Sequence, residues 1–340
     1  STPLILVNMT NLLDELRRHS VIDLDCNDEA VALEYRPFQD MTSNQLIVLG
    51  QLKQSTHAAI LPAACKLAKE AQDQFPRTNL ADLAVDYATV LLGKAVATHL
   101  HPTGYVHAQT LPSLAHDTAG TVRHALRLVK LYGLAEIPQA RVCIKIPSTL
   151  EGIAACNELE NHHDVRTLAT MCFALSQGLA AGEAKCTYVA PYVNQLIVHI
   201  DPSKHIFYKD PLPNLTSLQV SFAIQKELKK TGARTKVLAA SLITAEECFA
   251  LCGIEHITLS PAALALLQKT ALDARFEGIR DTSLEYLNKE HKHPHNGFWV
   301  KALPEAINDP AIAALLDDAL QAFGKAEIEL REMASKELQE

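Results

Sequence analysis

Short runs of apolar and β-branched residues alternate with longer helical segments along this chain, and this alternation limits the possible folds more than any other feature. Amphipathic helices are predicted between the runs, for example over 152–159 and 245–252. Strands that alternate with helices form parallel sheets, and eight such units predict an α/β fold of the (β/α)8 TIM barrel type. The eight predicted strands lie near residues 20–25, 40–43, 105–109, 142–146, 165–170, 187–191, 236–241 and 256–260.

The domain organisation follows from length and from the C-terminal composition. With 340 residues the chain is long enough for two domains, yet α/β barrels of this length are commonly one domain. We predict a single barrel domain over residues 1–340. From about residue 305 to 340 the chain is rich in Ala, Leu and Glu, with apolar residues at helical spacing. We expect a C-terminal helical extension that packs on the barrel or partly covers its mouth.

The charge and hydropathy of the chain restrict its partners. The net charge of -8 and the lack of a basic cluster argue against nucleic acid and against an anionic membrane surface. A small molecule is the expected partner. No apolar run approaches the length of a membrane span and no signal-peptide pattern opens the chain, so we expect a cytoplasmic protein. The helical stretch 79–97 suits either a homodimer contact or packing on the barrel, which leaves monomer and homodimer open.

Neither the cysteines nor the histidines form a metal-binding pattern. The eight cysteines are spread through apolar segments without a CxxC pair, which predicts small core residues and no disulfides. The tract 291–295 alternates histidines with lysine and proline, a composition more typical of a surface loop than of a metal site. Cys252 and His256 are four residues apart with no second pair nearby. We predict no metal.

Lys145 stands in the middle of the apolar run 142–146, which we interpret as a buried strand. Burial disfavours the charged form of an amine, and a neutral amine can attack a carbonyl to form a Schiff base. The alternative is a lysine whose stem packs while its ammonium reaches solvent. Catalytic groups of a barrel lie at the carboxyl ends of its strands, and other polar residues predicted there favour the catalytic interpretation. They are Asp25, Gln109, Thr170 and Ser241.

Four segments carry a family resemblance. The segment Ile-Lys-Ile-Pro-Ser-Thr-Leu-Glu-Gly-Ile around Lys145 resembles the lysine segment of transaldolases. Residues 25–28 resemble the family's strand-1 aspartate segment, residues 39–44 its strand-2 asparagine segment, and residues 190–193 its strand-6 segment. The resemblance covers roughly residues 20–261 and implies a barrel fold.

The resemblance implies a class I aldol mechanism that needs no metal or organic cofactor. Lys145 would form a Schiff base with a ketose, which would then release or pass on a dihydroxyacetone unit. Asp25 would be the general base at the C4 hydroxyl. Asn44 and Ser241 would bind hydroxyls of the dihydroxyacetone portion. From the residues alone, Asp25 could instead form an Asx-turn, and Asn44 or Ser241 could cap a helix or a turn.

Two positions depart from the transaldolase pattern together. Where transaldolases keep a strand-3 glutamate, this chain has Gln109, which can orient a water but cannot exchange a proton as a carboxylate does. Where they usually keep a strand-6 phenylalanine, it has Tyr192, whose phenol could donate a proton to that water. This pair is similar to the fructose-6-phosphate aldolase branch of the superfamily. The alternative for Tyr192 is a ring packed at the barrel mouth.

The strand-5 segment leaves two alignments open. With an insertion upstream, Leu168 replaces the family's asparagine and Thr170 keeps its threonine. With an insertion downstream, Thr167 and Ala169 take those two positions. We prefer the first alignment because it keeps residues 170–177 in register, and it makes Thr170 a catalytic candidate.

Both positions of the family's phosphate-binding arginines have changed. They hold Gln195 and Ile243, and neither a neutral amide nor an aliphatic chain replaces the charged fork of arginine. We predict altered phosphate recognition, with Gln195 as a substrate-binding residue. Either the substrate lacks a phosphate there, or other cations such as Arg280 or Lys301 bind it.

The sequence therefore predicts a transaldolase-family enzyme that acts on small ketoses and aldehydes. Gln109 and Tyr192 favour simple aldol cleavage over transfer between sugars. One alternative is an aldolase of a specialised pathway with an unphosphorylated substrate. Another is a barrel that has lost catalysis and acts as a binding module. Retention of both Lys145 and Asp25 argues against the latter, because a buried lysine is costly to keep without use.

Overall fold

The computed structural model describes residues 10–289 and 303–340. Seven strands form one sheet in the order β1-β7-β6-β5-β4-β3-β2, and all six pairings are parallel. The bounds of each of these seven strands lie within two residues of the predicted bounds. The strands are β1 Val21–Leu24, β2 Val106–Gln109, β3 Val142–Pro147, β4 Arg166–Cys172, β5 Tyr188–Pro191, β6 Lys236–Ala239 and β7 His256–Leu259.

An eighth extended segment closes the ring between β1 and β2. Met41 forms parallel bridges to Leu24 of β1 and to Val106 of β2. Its amide donates to the carbonyl of Tyr105 at 3.0 Å, and its own carbonyl accepts from the amide of His107 at 2.9 Å. The ring has eight positions, which confirms the predicted (β/α)8 barrel.

The predicted second strand, residues 40–43, is wrong in its extent, because Met41 alone pairs as a strand residue there. Buried carboxylates replace the ladder partners on both sides of it. Asp23 Oδ1 accepts from the amide of Asp40 at 3.0 Å, and Asp40 Oδ1 accepts from the amide of Tyr105 at 2.8 Å. Side chains that bond backbone amides compete with regular strand pairing, so the segment stays irregular.

Helices surround the barrel, and most begin at a residue whose side chain accepts from a first-turn amide, as Asp28 does before α2. The predicted helices at 152–159 and 245–252 correspond to α7 and α11. In the described ranges the helices are α1 Leu12–Leu16, α2 Glu29–Tyr35, α3 Gln45–Leu52, α4 Ile60–Ala71, α5 Leu80–Ala97, α6 Thr118–Leu134, α7 Leu150–His162, α8 Leu175–Glu183, α9 Ile197–Ile200, α10 Thr216–Thr231, α11 Ala245–Phe249, α12 Pro261–Lys269, α13 Ala274–Asn288, α14 Leu303–Ile307 and α15 Pro310–Glu337.

The C-terminal helix α15 packs against α3 and α5. Glu327 on this helix accepts from both the amide and the hydroxyl of Ser113, at 3.0 and 2.6 Å, and so holds the loop that follows β2. Phe323, one turn earlier, is fully buried. The helix therefore ties the loops on the carboxyl side of the strands to the outer helices.

A layer of polar side chains fills the barrel interior, and we call it the floor layer: Asp23, Asp40, His107, Tyr188 and His256. Asp23 Oδ2 lies 2.9 Å from His256 Nδ1, and Asp40 Oδ2 lies 3.1 Å from His107 Nε2. The Tyr188 ring lies between the two imidazoles, with centroids 5.0 and 5.7 Å away. Burial alone would raise the pKa of Asp40, but His107, the Tyr105 amide and the Tyr188 hydroxyl together hold that pKa below its ordinary value.

The structure also bears on the predictions made for the cysteines, for membrane-spanning helices and for metal ligands. All eight cysteines are buried and free. Within residues 10–289 and 303–340, no helix has both the length and the apolar character that a membrane crossing requires. In those same ranges, no three His, Cys, Asp or Glu side chains come together as metal ligands do. The histidine tract 291–295 lies outside the described residues.

Candidate active site

Lys145 lines a cavity of about 340 Å³ at the carboxyl ends of the strands. The residue is only 2% exposed, so the interpretation of a lysine whose head reaches bulk solvent does not hold. Its Nζ lies 6.0 Å from the ring centre of Tyr192. Among the described residues, no hydrogen bond or ion pair engages Nζ. A buried amine without a partner, facing a cavity, is available to react with a ligand there.

Asp25 lines the same cavity and follows β1 directly. Its Oδ1 accepts from Thr42 Oγ1 at 2.6 Å, and Thr42 Oγ1 lies 2.6 Å from Thr258 Oγ1. Since the Thr42 proton is used on Asp25, Thr258 must donate to Thr42. The cap of α2 is formed by Asp28, which accepts from the amide of Ala30. Asp25 is thus positioned by a hydroxyl chain from the barrel and is not the turn residue.

Asn44 also lines the Lys145 cavity. Its Oδ1 accepts from the amide of Ile47 at 3.0 Å and caps α3, as one interpretation of the sequence predicted. The cap uses the oxygen and leaves the amide nitrogen Nδ2 as a pair of donors. Capping and substrate binding are therefore compatible at this residue, because each uses a different atom.

Gln109 ends β2 and is paired in register with Lys145 of β3. Its Nε2 donates to Gln45 Oε1 at 2.7 Å, while Gln45 Nε2 donates to the carbonyls of Gln109 and Thr110. This network fixes the orientation of both amides, and Gln109 Oε1 remains buried without a partner. Gln109 and Asn44 line a small cavity of about 20 Å³ beside the main one, which is enough for one water.

Thr170 and Tyr192 form a hydroxyl pair. Thr170 Oγ1 donates to the Tyr192 hydroxyl at 3.1 Å, and both residues are buried. Tyr192 lines the Lys145 cavity, and its ring packs edge-on against Phe173 with centroids 5.7 Å apart. The Tyr192 hydroxyl therefore has a hydrogen-bond partner, and Nζ of Lys145 lies over the ring, 6.0 Å from its centre.

The geometry distinguishes the two alignments that the sequence left open for residues 167–170, which lie in β4 of the structure. Thr167 Oγ1 donates to Glu160 of α7 at 2.9 Å, so Thr167 lies against the surrounding helices. Leu168 pairs with Lys145 and packs in the barrel interior. Thr170 is the residue that reaches Tyr192. The contacts favour the alignment in which Leu168 replaces the family's asparagine and Thr170 keeps its threonine.

Ser241 follows β6 and lines the Lys145 cavity in a left-handed backbone conformation with φ of 65°. Such a conformation is costly for a residue with a side chain and persists only where neighbours hold it. Asn194 supplies those contacts. Its amide and its Nδ2 both donate to the Ser241 carbonyl, at 3.1 and 2.9 Å, and its carbonyl accepts from Ser241 Oγ at 2.9 Å.

Comparison with known proteins identifies the family. The family model described as Transaldolase/Fructose-6-phosphate aldolase matches residues 12–334, nearly the whole chain. The chain belongs to this family. It is accordingly an enzyme of the transaldolase, class I aldolase type.

Similar proteins in other organisms cover most of the chain. The transaldolase of Bos taurus is 31% identical over 269 residues, 77% of this chain and 76% of that protein. The transaldolase of Kluyveromyces lactis is 32% identical over 71% of this chain and 70% of its own. The transaldolase of Homo sapiens is 26% identical over 99% of this chain and 97% of its own. Among solved structures, an IMP dehydrogenase/GMP reductase-like protein from Corynebacterium glutamicum covers 78% of this chain and 81% of its own at 13% identity, with a TM-score of 0.40, too low to carry an argument.

The two positions where the transaldolase resemblance expects arginine do not add a cation to this cavity. Gln195 is exposed and lines a neighbouring cavity of about 430 Å³, so the structure does not bring this predicted substrate-binding residue to Lys145. Its neighbour Asn194 is the residue that contacts Ser241. Ile243 is half-buried, and its amide donates to Glu247 Oε2 at 2.8 Å.

The substitute cations named from the sequence do not line this cavity. Arg280 on α13 is 2.7 Å from Glu15 and 2.9 Å from Asp281, and it is absent from the residues lining the Lys145 cavity. Lys301 lies outside the described residues. Among the described residues that line this cavity, the basic side chains are Lys145 and His199.

Several residues of the site were missed by sequence reasoning. Thr42 and Thr258 orient Asp25, Gln45 orients Gln109, and His199 touches Ser241. The two threonines lie in predicted strand positions, and period-two alternation from Asp40 and His256 would have placed them on the inner face. Gln45 and His199 lie on helices after strands, and no local pattern marks them.

Proposed function

We propose that this enzyme forms a Schiff base between Lys145 and a ketose and breaks or makes the bond between the third and fourth carbons. The observation that carries the proposal is the buried, unpartnered amine of Lys145 in one cavity with Asp25, Asn44, Tyr192 and Ser241. The lysine itself is the electron sink, so the proposal requires no cofactor. Small ketoses and aldehydes are the proposed substrates.

The proposed cycle balances with the groups present. The Lys145 amine adds to the ketone carbon, and the carbinolamine loses its oxygen as water to give the iminium. Asp25 takes the proton of the C4 hydroxyl, the C3–C4 bond breaks, and its electrons move to the iminium nitrogen. An aldehyde leaves, and the enamine takes a proton or attacks a second aldehyde. Hydrolysis then frees Lys145, while Asn44 and Ser241 hold the hydroxyls of the retained unit.

Tyr192, Thr170 and Gln109 are proposed to serve the dehydration step. The phenol of Tyr192 donates to the departing oxygen, and the Thr170 hydroxyl that donates to it keeps the phenol in place. The unpartnered Oε1 of Gln109 accepts from a water in the adjacent small cavity. A water bound in this cavity would be available for the hydrolysis that frees Lys145, and the water lost in dehydration could take the same place.

The preferred substrate is proposed to be unphosphorylated. A phosphate dianion needs donors and positive charge, and Arg280 is engaged elsewhere while Gln195 lies outside the cavity. The test is borohydride trapping with dihydroxyacetone, fructose and fructose 6-phosphate, followed by peptide mass spectrometry. We expect a reduced adduct on the Lys145 peptide, formed more readily with fructose than with its 6-phosphate. A large preference for the phosphorylated ketose would contradict altered phosphate recognition.

Replacing Tyr192 with phenylalanine is expected to lower kcat by about 100-fold, the smaller end of what one positioned proton donor contributes. KM should change little, because the ring and its packing against Phe173 remain. Single-turnover adduct formation should slow by the same factor. Tyr208→Phe, which removes a phenol from the neighbouring cavity, is the matched control. Unchanged kcat in Tyr192→Phe would assign the proton to a different donor.

A further inference from the structure

His199 lines the Lys145 cavity and lies on the one-turn helix α9 that follows β5. Its Nε2 is 2.8 Å from Ser241 Oγ. We propose that His199 is a specificity-determining residue: together with Ser241 it forms a wall of hydrogen-bond acceptors that receives substrate hydroxyls and rejects phosphate at neutral pH. This inference rests on the proposed Schiff-base function and names the chemistry that selects its substrate.

Counting protons at Ser241 shows why the wall presents acceptors. A serine hydroxyl has one proton, and Ser241 Oγ donates it to the carbonyl of Asn194 at 2.9 Å. The contact with His199 must then run the other way, with Nε2–H donating to Ser241 Oγ. In a neutral imidazole with its proton on Nε2, Nδ1 carries a lone pair. Ser241 Oγ keeps one lone pair as well, so each of these two cavity-lining residues has an acceptor left.

The contacts of Asn194 fix the direction of the hydrogen bond that Ser241 Oγ donates. The Ser241 carbonyl accepts from two Asn194 nitrogens, and Asn194 Nδ2 also donates to Glu247 Oε2 at 2.9 Å. Glu247 is buried and accepts from His205 Nε2 at 2.7 Å. The Asn194 carbonyl is therefore a fixed acceptor beside Ser241 Oγ, and the direction of the Ser241 proton is set by the fold.

The charge on His199 is set by its surroundings. Although part of the ring is exposed, desolvation lowers the pKa of His199 below its ordinary value, against the opposing effects of Asp25 and Glu247. The charged or titratable groups that act on its pKa are Asp25, which follows β1, Glu247 from α11 and His205 from its own segment. Lys145 from β3 and the apolar ring of Phe323 from α15 line the same cavity. The imidazole is neutral at pH 7 and becomes a cation with a second N–H donor only in acid.

This chemistry discriminates between a hydroxyl and a phosphate. A sugar hydroxyl donates one proton and fits a lone pair of Ser241 or His199. A phosphate dianion has only acceptors and meets two lone pairs and the nearby carboxylate of Asp25, an arrangement opposite to an arginine fork. Protonation of His199 changes the wall from acceptor to donor, so anion binding should appear as the pH falls.

The test uses sulfate as the anion, because sulfate keeps its charge over the range in which imidazole titrates. Dihydroxyacetone is trapped on the full-length enzyme with cyanoborohydride at about pH 5 and about pH 8, on either side of the ordinary imidazole pKa. We expect the sulfate inhibition constant of the wild-type protein to be at least about tenfold smaller at the lower pH. In His199→Gln, which keeps a donor for Ser241 but cannot become a cation, it should vary far less.

Two further variants complete the experiment. His162→Gln changes an exposed histidine on α7 and should behave as the wild type. His199→Arg adds a cationic fork and should raise trapping with fructose 6-phosphate relative to fructose by about tenfold or more. Identical pH dependence of sulfate inhibition in the wild type and His199→Gln, or no inhibition at either pH, overturns the role of His199. The lack of any Lys145 adduct in the wild type overturns the Schiff-base function instead.

Discussion

Replacing Lys145 with methionine is expected to abolish the trapped adduct and to lower kcat/KM by roughly 10⁴-fold or more, because the variant has no nucleophile for the ketone. The measurement is intact-mass spectrometry after borohydride reduction, together with kcat/KM for the donor that traps fastest. Lys236→Met is the matched control, since Lys236 begins β6 of the same barrel but is exposed.

The Lys145→Met variant should lose activity but gain stability. Lys145 is 2% exposed and no described residue pairs with its amine, whereas methionine has a similar length and no polar group to desolvate. We expect the free energy of unfolding to rise by about 1 kcal/mol or more. Loss of activity with gain of stability is the pattern of a residue kept for chemistry. Persisting activity, or an adduct on another lysine, would contradict the assignment.

Replacing His107 with alanine in the floor layer is expected to lower the free energy of unfolding by about 3–5 kcal/mol. The Asp40 carboxylate is fully buried, and its Oδ2 would lose the partner that now lies 3.1 Å away. Asp40 cannot turn to solvent, because its Oδ1 accepts from the amide of Tyr105 at the point where the ring closes. Urea unfolding followed by circular dichroism measures the loss.

The pH dependence of this loss tests its cause. In the wild type the pKa of Asp40 is below its ordinary value, so the pair contributes stability above the ordinary carboxyl pKa of about 3.9, and this is lost as pH falls through the folded value. Without His107 the buried carboxylate keeps only the neutral donors of Tyr105 and Tyr188, so burial raises its pKa and protonation removes the desolvation cost. The difference between the two proteins should therefore shrink from neutral pH towards about pH 4.

His116→Ala provides the control for this series. His116 contacts Glu151 at 3.3 Å on the surface with 63% of its side chain exposed, and its loss should change stability by about 0.5 kcal/mol at most. A loss near this size in His107→Ala would show that Asp40 finds another partner in the barrel. It would also contradict a stabilising role of the Asp40 carboxylate in the irregular segment that closes the ring.

The architecture and the centre of the site could be predicted from the sequence because they depend on local patterns. Short apolar and β-branched runs between helical segments predicted seven strands within two residues of their bounds, and parallel strands bring their carboxyl ends to one face. The closeness of Lys145, Asp25 and Ser241 follows from that geometry, since each residue lies at or near such an end. Their arrangement around one cavity needed no knowledge of the loops.

The tertiary structure alone decided the contacts between residues far apart in the chain. The Asp23 and Asp40 carboxylates accept from the amides of Asp40 and Tyr105 beside the Met41 pairing, and His199 Nε2 lies 2.8 Å from Ser241 Oγ across 42 positions of sequence. Gln195 was predicted to bind substrate, but it lines a neighbouring cavity and not that of Lys145. Periodicity determines which face of a strand is buried, whereas loop direction and side-chain pairing depend on packing between distant segments. The sequence by itself thus determined the barrel and its lysine, and the tertiary structure decided which side chains surround that lysine in the cavity.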